Sequence, residues 1–203
     1  MEKKVEFKSE GFRIQGLISR GTGPGGIVIT HPHPQFGGDM YNPVVESIGS
    51  VYQRKNRTTL RFNFRGVGAS EGRYSEGVGE RQDVLTAVAW LRQEGIDRID
   101  LAGYSFGAWV NAHVDGRAAA IDRMIMVSPP VAFIKFEEGL RLPRLELVVG
   151  GSRDEIAPPG VIRGLLPQWN ADARFEEIQG ADHFYFGYFE QLEAILEKYV
   201  FER

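Results

Sequence analysis

Short apolar, β-branched runs alternate along the chain with stretches whose apolar residues recur every three to four positions. A mostly parallel sheet with crossover helices produces that alternation. Val5 to Ser9 and Phe12 to Ser19 read as an opening antiparallel pair around the turn Glu10-Gly11. Gly26 to Thr30 is a run without polar alternation, the pattern of a strand buried on both faces. A helix is expected from Asn42-Pro43, an N-cap followed by proline in the first turn, with Val44, Ile48, Val51 and Tyr52 inward and an end at Asn56. Thr58 to Phe64 is the next strand, followed by a glycine-rich loop from Gly66 to Gly79 and a helix from Gln82 to Glu94 stopped by Gly95. Beyond it the pattern predicts a strand at Ile99 to Tyr104, a helix at Phe106 to Val114, and strands at Met124 to Val127 and Leu145 to Val149. A short helix after Pro158-Pro159, a strand at Arg174 to Ile178 and a last helix carrying Leu192, Ile195, Leu196 and Tyr199 complete the series. The expected class is α/β, a doubly wound, mostly parallel sheet with antiparallel N-terminal strands.

The 203 residues, 42% hydrophobic and 25% charged, fit one globular domain over 1–203, and no repeat or linker interrupts them. A net charge of -3 without a run of five like charges argues against a nucleic-acid partner. The absence of cysteine excludes disulfides, thiolate metal sites and cysteine nucleophiles. No apolar run of ~18 residues is present, and Met1-Glu2-Lys3-Lys4-Val5-Glu6 lacks a signal core. The expectation is a soluble cytoplasmic protein without a membrane partner; composition says nothing about its oligomeric state.

Two segments fit Gly-x-Ser-x-Gly, where 25 Gly and 9 Ser in 203 residues give about 0.13 matches by chance. Gly103-Tyr104-Ser105-Phe106-Gly107 lies between a predicted strand and helix, where a tight turn would strain the serine backbone and expose its hydroxyl at the C-terminal edge of the sheet. Its flanking glycines are expected where a Cβ would strike neighbouring strands. Gly68-Ala69-Ser70-Glu71-Gly72 leads into a polar loop and reads as an ordinary loop.

A serine hydroxyl needs a base, and the base a carboxylate that fixes its tautomer. Of four histidines, His113 sits on the helix that follows Ser105 and reads as a helix-face residue, while His31 and His33 close an earlier strand. His183, in a loop after the last strand, is the expected base. Asp154, directly after the strand Leu145 to Val149, is the preferred acid; Asp182 and Glu155 are rivals. For the oxyanion, Phe106 supplies one backbone N–H at the helix start. The second should come from the loop His31 to Gly38, where Pro32 and Pro34 lack an N–H; of His33, Gln35 and Phe36, Gln35 is preferred.

In that order Ile27 to Gly38, Arg61 to Gly72, Gly103 to Gly107, Gly150 to Pro159 and Gly180 to Phe184 resemble an α/β-hydrolase. More narrowly they resemble the small lidless group of predicted bacterial serine hydrolases, esterase-like and distantly similar to dienelactone hydrolases. The resemblance runs from about residue 12 onward and implies a Ser-Asp-His triad matching Ser105, Asp154 and His183. The proline-rich loop departs from the common His-Gly-Gly type. Dienelactone hydrolases use a cysteine nucleophile, so their substrate does not carry over.

Gly21-Thr22-Gly23-Pro24-Gly25-Gly26 fits a dinucleotide pattern but precedes a strand, and reads as a turn. His31, His33 and Asp39 could in principle share a metal, yet no third histidine or glutamate accompanies them, and no metal or cofactor is expected. Phe36, Phe106, Phe133, Phe184 and Tyr185 are candidate pocket walls by position, with Phe36, Phe133 and Phe184 taken as substrate-binding. Only Ser128 to Arg144 separates the strand after the nucleophile helix from the acid-bearing strand, and Pro129, Pro130 and Pro143 leave no room for a cap domain. The expected function is a carboxylesterase for small soluble esters; the competing class is a binding protein that keeps the fold with little turnover.

Overall fold

The computed structural model describes residues 1–114 and 120–201; residues 115–119 and 202–203, part of the span expected as one domain, lie outside the described residues. Among the described residues eight strands form one sheet: β1 (Lys3–Ser9), β2 (Phe12–Ser19), β3 (Gly26–Thr30), β4 (Thr58–Phe62), β5 (Ile99–Tyr104), β6 (Arg123–Val127), β7 (Leu145–Gly151) and β8 (Arg174–Ile178). Among the described residues five α-helices pack around them: α1 (Pro43–Arg54), α2 (Val78–Gln93), α3 (Phe106–Ala112), α4 (Pro159–Trp169) and α5 (Phe189–Phe201). The strand order is β1-β2-β4-β3-β5-β6-β7-β8. Pairings β1/β2 and β2/β4 are antiparallel, and every pairing from β4/β3 to β7/β8 is parallel.

The pleat sorts the strand residues into two cores, since successive side chains point to opposite faces. Ile27, Ile29, Ala102, Tyr104, Ile125 and Val127 pack with Val44, Ile48 and Val51 of α1 and Leu192 and Leu196 of α5. Val28, Leu101, Met124, Met126 and Val148 face the other way, against Val84 and Val88 of α2, Ala108 of α3 and Ile162 of α4. Central strands buried on both faces therefore read as continuous apolar runs.

Several boundaries differ from the pattern's reading, most of them by one or two residues, as where β1 begins at Lys3, α1 ends at Arg54 and α3 ends at Ala112. α2 begins at Val78 rather than Gln82, because the buried Glu80 carboxylate accepts the N–H groups of Gly77 and Ser75, each at 2.8 Å, and so caps the helix from inside its first turn. β4 ends at Phe62 rather than Phe64, because the Phe64 N–H turns from the sheet to the ring of His31 at 3.0 Å. α4 runs eleven residues to Trp169, past Pro167; in the last turn a proline sacrifices a single helical bond. No helix among the described residues is long and apolar enough to cross a membrane.

Candidate active site

Ser105 follows β5 and precedes α3 with φ 53° and ψ −118°, a backbone region that side chains avoid unless their surroundings enforce it. The two glycines enforce it for different reasons. A Cβ on Gly107 would lie 2.6–2.8 Å from Thr30 Oγ1, Thr30 O and His31 O at the end of β3, a strand clash as expected. At Gly103 the obstacle is α3 itself: a Cβ would lie 2.5 Å from Ala108 N and from Gly107 C. Glycine on both sides lets the helix approach β5 closely enough to point the serine hydroxyl off the sheet edge.

The loops after β7 and β8 meet there. Arg153 N–H donates to Ala181 O at 2.9 Å, and Gly180 N–H donates to Ser152 Oγ at 2.8 Å. Tyr104 donates its hydroxyl to the carbonyl of His183 at 2.8 Å. Between these ties His183 Nδ1 lies 2.8 and 3.0 Å from the two carboxylate oxygens of Asp154, and Nε2 lies 3.0 Å from Ser105 Oγ. A carboxylate only accepts, so Nδ1 carries the proton and the Nε2 lone pair faces the serine hydroxyl. All three side chains are buried.

Asp154 Oδ1 also accepts the N–H groups of Ile156 at 3.0 Å and Ala157 at 2.7 Å. Burial pushes its carboxyl up, but hydrogen bonds from His183, the Ser128 hydroxyl and the Ala157 amide outweigh that and hold it below the usual carboxylate range. Ser128 was not singled out from the sequence. It stands at the end of β6 at φ 44°, fully buried, with its hydroxyl 2.7 Å from that of Tyr185. The Tyr185 ring, a candidate pocket wall, is instead fully buried in the core, and its hydroxyl reaches Ser128 rather than the cleft. The one sequence signal for Ser128 is its place one residue past a buried strand.

The rival residues lie elsewhere. Asp182 is exposed and accepts the Phe184 N–H at 2.9 Å; Glu155 is exposed. Ser70 donates to Asn63 O at 2.8 Å and accepts the Gln15 N–H at 2.9 Å, so its hydroxyl is committed to backbone. His113 caps the C-terminal end of α3, with Nδ1 2.7 Å from Trp109 O. Both nitrogens of His31 are engaged, Nδ1 with Pro32 O at 2.7 Å and Nε2 with the Phe64 N–H.

The loop after β3 folds into a 3-10 turn, Pro34–Phe36, capped by the His33 side chain. Gln35 N–H, the expected second oxyanion donor, points into that cap at 3.2 Å from His33 Nδ1, and Gln35 does not line the cleft. The N–H groups of Phe36 and Gly38 donate to His33 O, and that of Gly37 donates to Pro34 O. Among the described residues this leaves the amide of His33, which lines the cleft, without a partner. The Phe106 amide at the start of α3 is likewise unpartnered.

A cleft of about 370 Å³ opens beside Ser105 and His183. Phe36, Phe133 and Phe184 line it together with Phe106, and the segment Ser128 to Arg144 that passes over this edge forms no helix.

An open, largely parallel sheet with a serine at a strained strand-to-helix turn and a histidine within its reach defines an α/β-hydrolase. No family model matches the sequence. The chain is 31% identical, over 194 aligned positions covering 90% of it and 82% of the relative, to the uncharacterized protein RP471 of Rickettsia prowazekii (strain Madrid E). Among solved structures it resembles an α/β serine hydrolase homologue from Coxiella burnetii, at 32% identity and TM-score 0.88 over 97% of this chain and 96% of that one. It also resembles a lidless α/β serine hydrolase from Xanthomonas campestris, at 26% identity and TM-score 0.90 over 98% and 93% of the two chains. The chain belongs to the α/β serine hydrolase family and is a hydrolase of that fold.

Proposed function

We propose that the chain is a serine carboxylesterase acting on small soluble esters, with Ser105 as nucleophile, His183 as base and Asp154 as the acid that orients it. The observation that carries this reading is the unbroken chain of hydrogen bonds from Asp154 through His183 to Ser105 at the strained turn. Ser105 Oγ attacks the ester carbonyl carbon while its proton passes to His183 Nε2. The Phe106 and His33 amides receive the oxyanion, His33 replacing Gln35 because the Gln35 N–H is engaged within its own turn. Collapse of the tetrahedral intermediate expels the alcohol, which takes the proton from His183. Water, deprotonated by His183, then attacks the acyl-serine, and the carboxylic acid leaves with Ser105 restored. No step calls for a metal or a cofactor.

The test is labelling by a fluorophosphonate probe alongside hydrolysis of p-nitrophenyl acetate. Ser105→Ala should abolish labelling and lower kcat by on the order of 10⁶, whereas Ser70→Ala should leave both within about three-fold. A wild-type chain that neither labels nor turns over would belong to the binding-protein class instead. Loss on Ser70→Ala rather than Ser105→Ala would move the nucleophile to the other motif.

A further inference from the structure

The cleft beside Ser105 has an unusual wall. None of its lining residues is a lysine, arginine, aspartate or glutamate. Besides Tyr104 and the His183 imidazole, its rings come from separate segments: His33 and Phe36 from the loop after β3, Phe106 from α3, Phe133 from the loop after β6, and Phe184 from the loop after β8. Phe36 is 73%, Phe133 59% and Phe184 55% exposed, so three large apolar side chains stand in water around the nucleophile. Exposed aromatics gathered at one concave site mark a binding surface more often than a packing accident.

The rings already meet one another at an angle, edge to face or tilted. Phe36 and Phe133, from opposite loops, have centroids 5.8 Å apart at 69°. The His33 ring lies 4.9 Å from Phe36 and 4.7 Å from Phe106 at similar tilts. A ligand ring would extend this array, whereas a flexible alkyl chain would gain contact area alone. The size fits: a cavity of about 150 Å³ lined by apolar side chains accepts benzene, and this cleft of about 370 Å³ has room for a ring plus an ester. A charged substituent would enter without a counter-ion. Partial burial also disfavours a proton on His33, whose Nδ1 accepts the Gln35 N–H and whose Nε2 faces the Tyr74 hydroxyl at 3.2 Å.

We infer that the cleft selects esters carrying an uncharged aromatic ring on one side of the scissile bond and rejects esters with a second, charged carboxylate. This rests on the serine hydrolase reading and adds the substrate class to it.

The experiment compares matched pairs: ethyl 3-phenylpropanoate against ethyl hexanoate for the acyl side, and 2-phenylethyl acetate against hexyl acetate for the alcohol side. Monoethyl adipate supplies the charged substrate. The aromatic member of at least one pair should be favoured about ten-fold or more in kcat/KM, the scale of two ring-on-ring contacts. Monoethyl adipate should fall at least ~100-fold below ethyl hexanoate. Phe36→Ala and Phe133→Ala should each shrink the aromatic preference, mainly through KM. A smaller preference in both pairs, or adipate cleaved as well as hexanoate, overturns the inference. Hydrolysis of p-nitrophenyl acetate, followed in parallel, reports the machinery alone, so failure there falls on the earlier reading. Calorimetric binding of 3-phenylpropanamide and 2-phenylethanol, each against its hexyl counterpart, to Ser105→Ala then still decides the aromatic question: tighter binding of either ring supports it, and equal binding in both comparisons sinks it.

Discussion

Acid should weaken this fold through one particular side chain. His31 is fully buried at the end of β3, donates from Nδ1 to Pro32 O and accepts the Phe64 N–H at Nε2, so the neutral ring ties the start of the His33 loop to the end of β4. A proton on Nε2 would set two donors against each other. Burial, together with the nearby His33, pushes the His31 pKa down to about 4, against the support of the Pro32 carbonyl. In the unfolded chain the ring titrates near ~6.5. Its folded pKa is the lower one, so the unfolded state binds more protons between those values and stability falls as pH falls through that window. With the folded value at about 4, His31 alone should cost the fold about 2 kcal/mol between pH 7 and pH 5, and about 3 kcal/mol by pH 3.

The measurement is urea unfolding of wild type and His31→Gln at pH 7 and at pH 5. Glutamine cannot titrate, and its side-chain oxygen can still accept the Phe64 N–H. Carboxylates and the other histidines are common to both proteins and cancel in the difference of differences, provided the m-values agree. The variant should be less stable than wild type at pH 7 yet lose about 2 kcal/mol less on acidification. Equal acid losses in the two proteins would show that the ring does not titrate with folding, and the buried neutral tautomer would have to be abandoned.

Three further outcomes follow. Asp154→Asn should lower kcat by about 10⁴ through loss of the His183 tautomer, while Asp182→Asn, altered at an exposed turn, should cost less than about ten-fold; steady-state kinetics on p-nitrophenyl butyrate compare them, and equal losses would dissolve the assignment of the acid. Ser128→Ala removes a hydrogen bond to Asp154 and leaves the buried Tyr185 hydroxyl short of its partner, so urea denaturation should show a loss of about 1–3 kcal/mol; an unchanged midpoint would mean that the pair contributes nothing. Since Ser128 to Arg144 forms no covering helix, the rate should not jump when a soluble ester passes its solubility limit; a sharp rise at the interface would reveal a covering segment.

Much of the fold was legible because its signals are local or periodic. Central strands need apolar residues on both faces, and runs such as Ile27 to Ile29 or Met124 to Val127 supply them. Two of the misplaced boundaries share a cause: the start of α2 and the end of β4 are each set by a side chain meeting a backbone group that a periodic pattern does not record. Glu80 starts α2 from within, four residues ahead of the apolar period, and His31 draws the Phe64 amide out of the β4 ladder across 33 residues of sequence. Neither contact changes the hydrophobic pattern, so neither could be read from it.

The site divides along the same line. Ser105, Asp154 and His183 could be placed because each follows a parallel strand, and the C-terminal ends of parallel strands converge on one edge whatever the loops do in detail. The second oxyanion donor depends on the opposite kind of information, namely which amides of a single loop are already in use. Proline at 32 and 34 narrowed the choice without making it. What supports His33 as the proposed donor is that it caps its own turn: the ring takes the Gln35 N–H, the carbonyl takes those of Phe36 and Gly38, and the His33 amide is left over. On the proposed reading, the residue that removes its rivals is thus the one that remains to donate. A side chain at 33 that cannot cap, such as alanine, would free the Gln35 amide and loosen the turn while leaving the His33 position its own N–H, so damage at this position should appear in the geometry of oxyanion binding rather than in the loss of a donor.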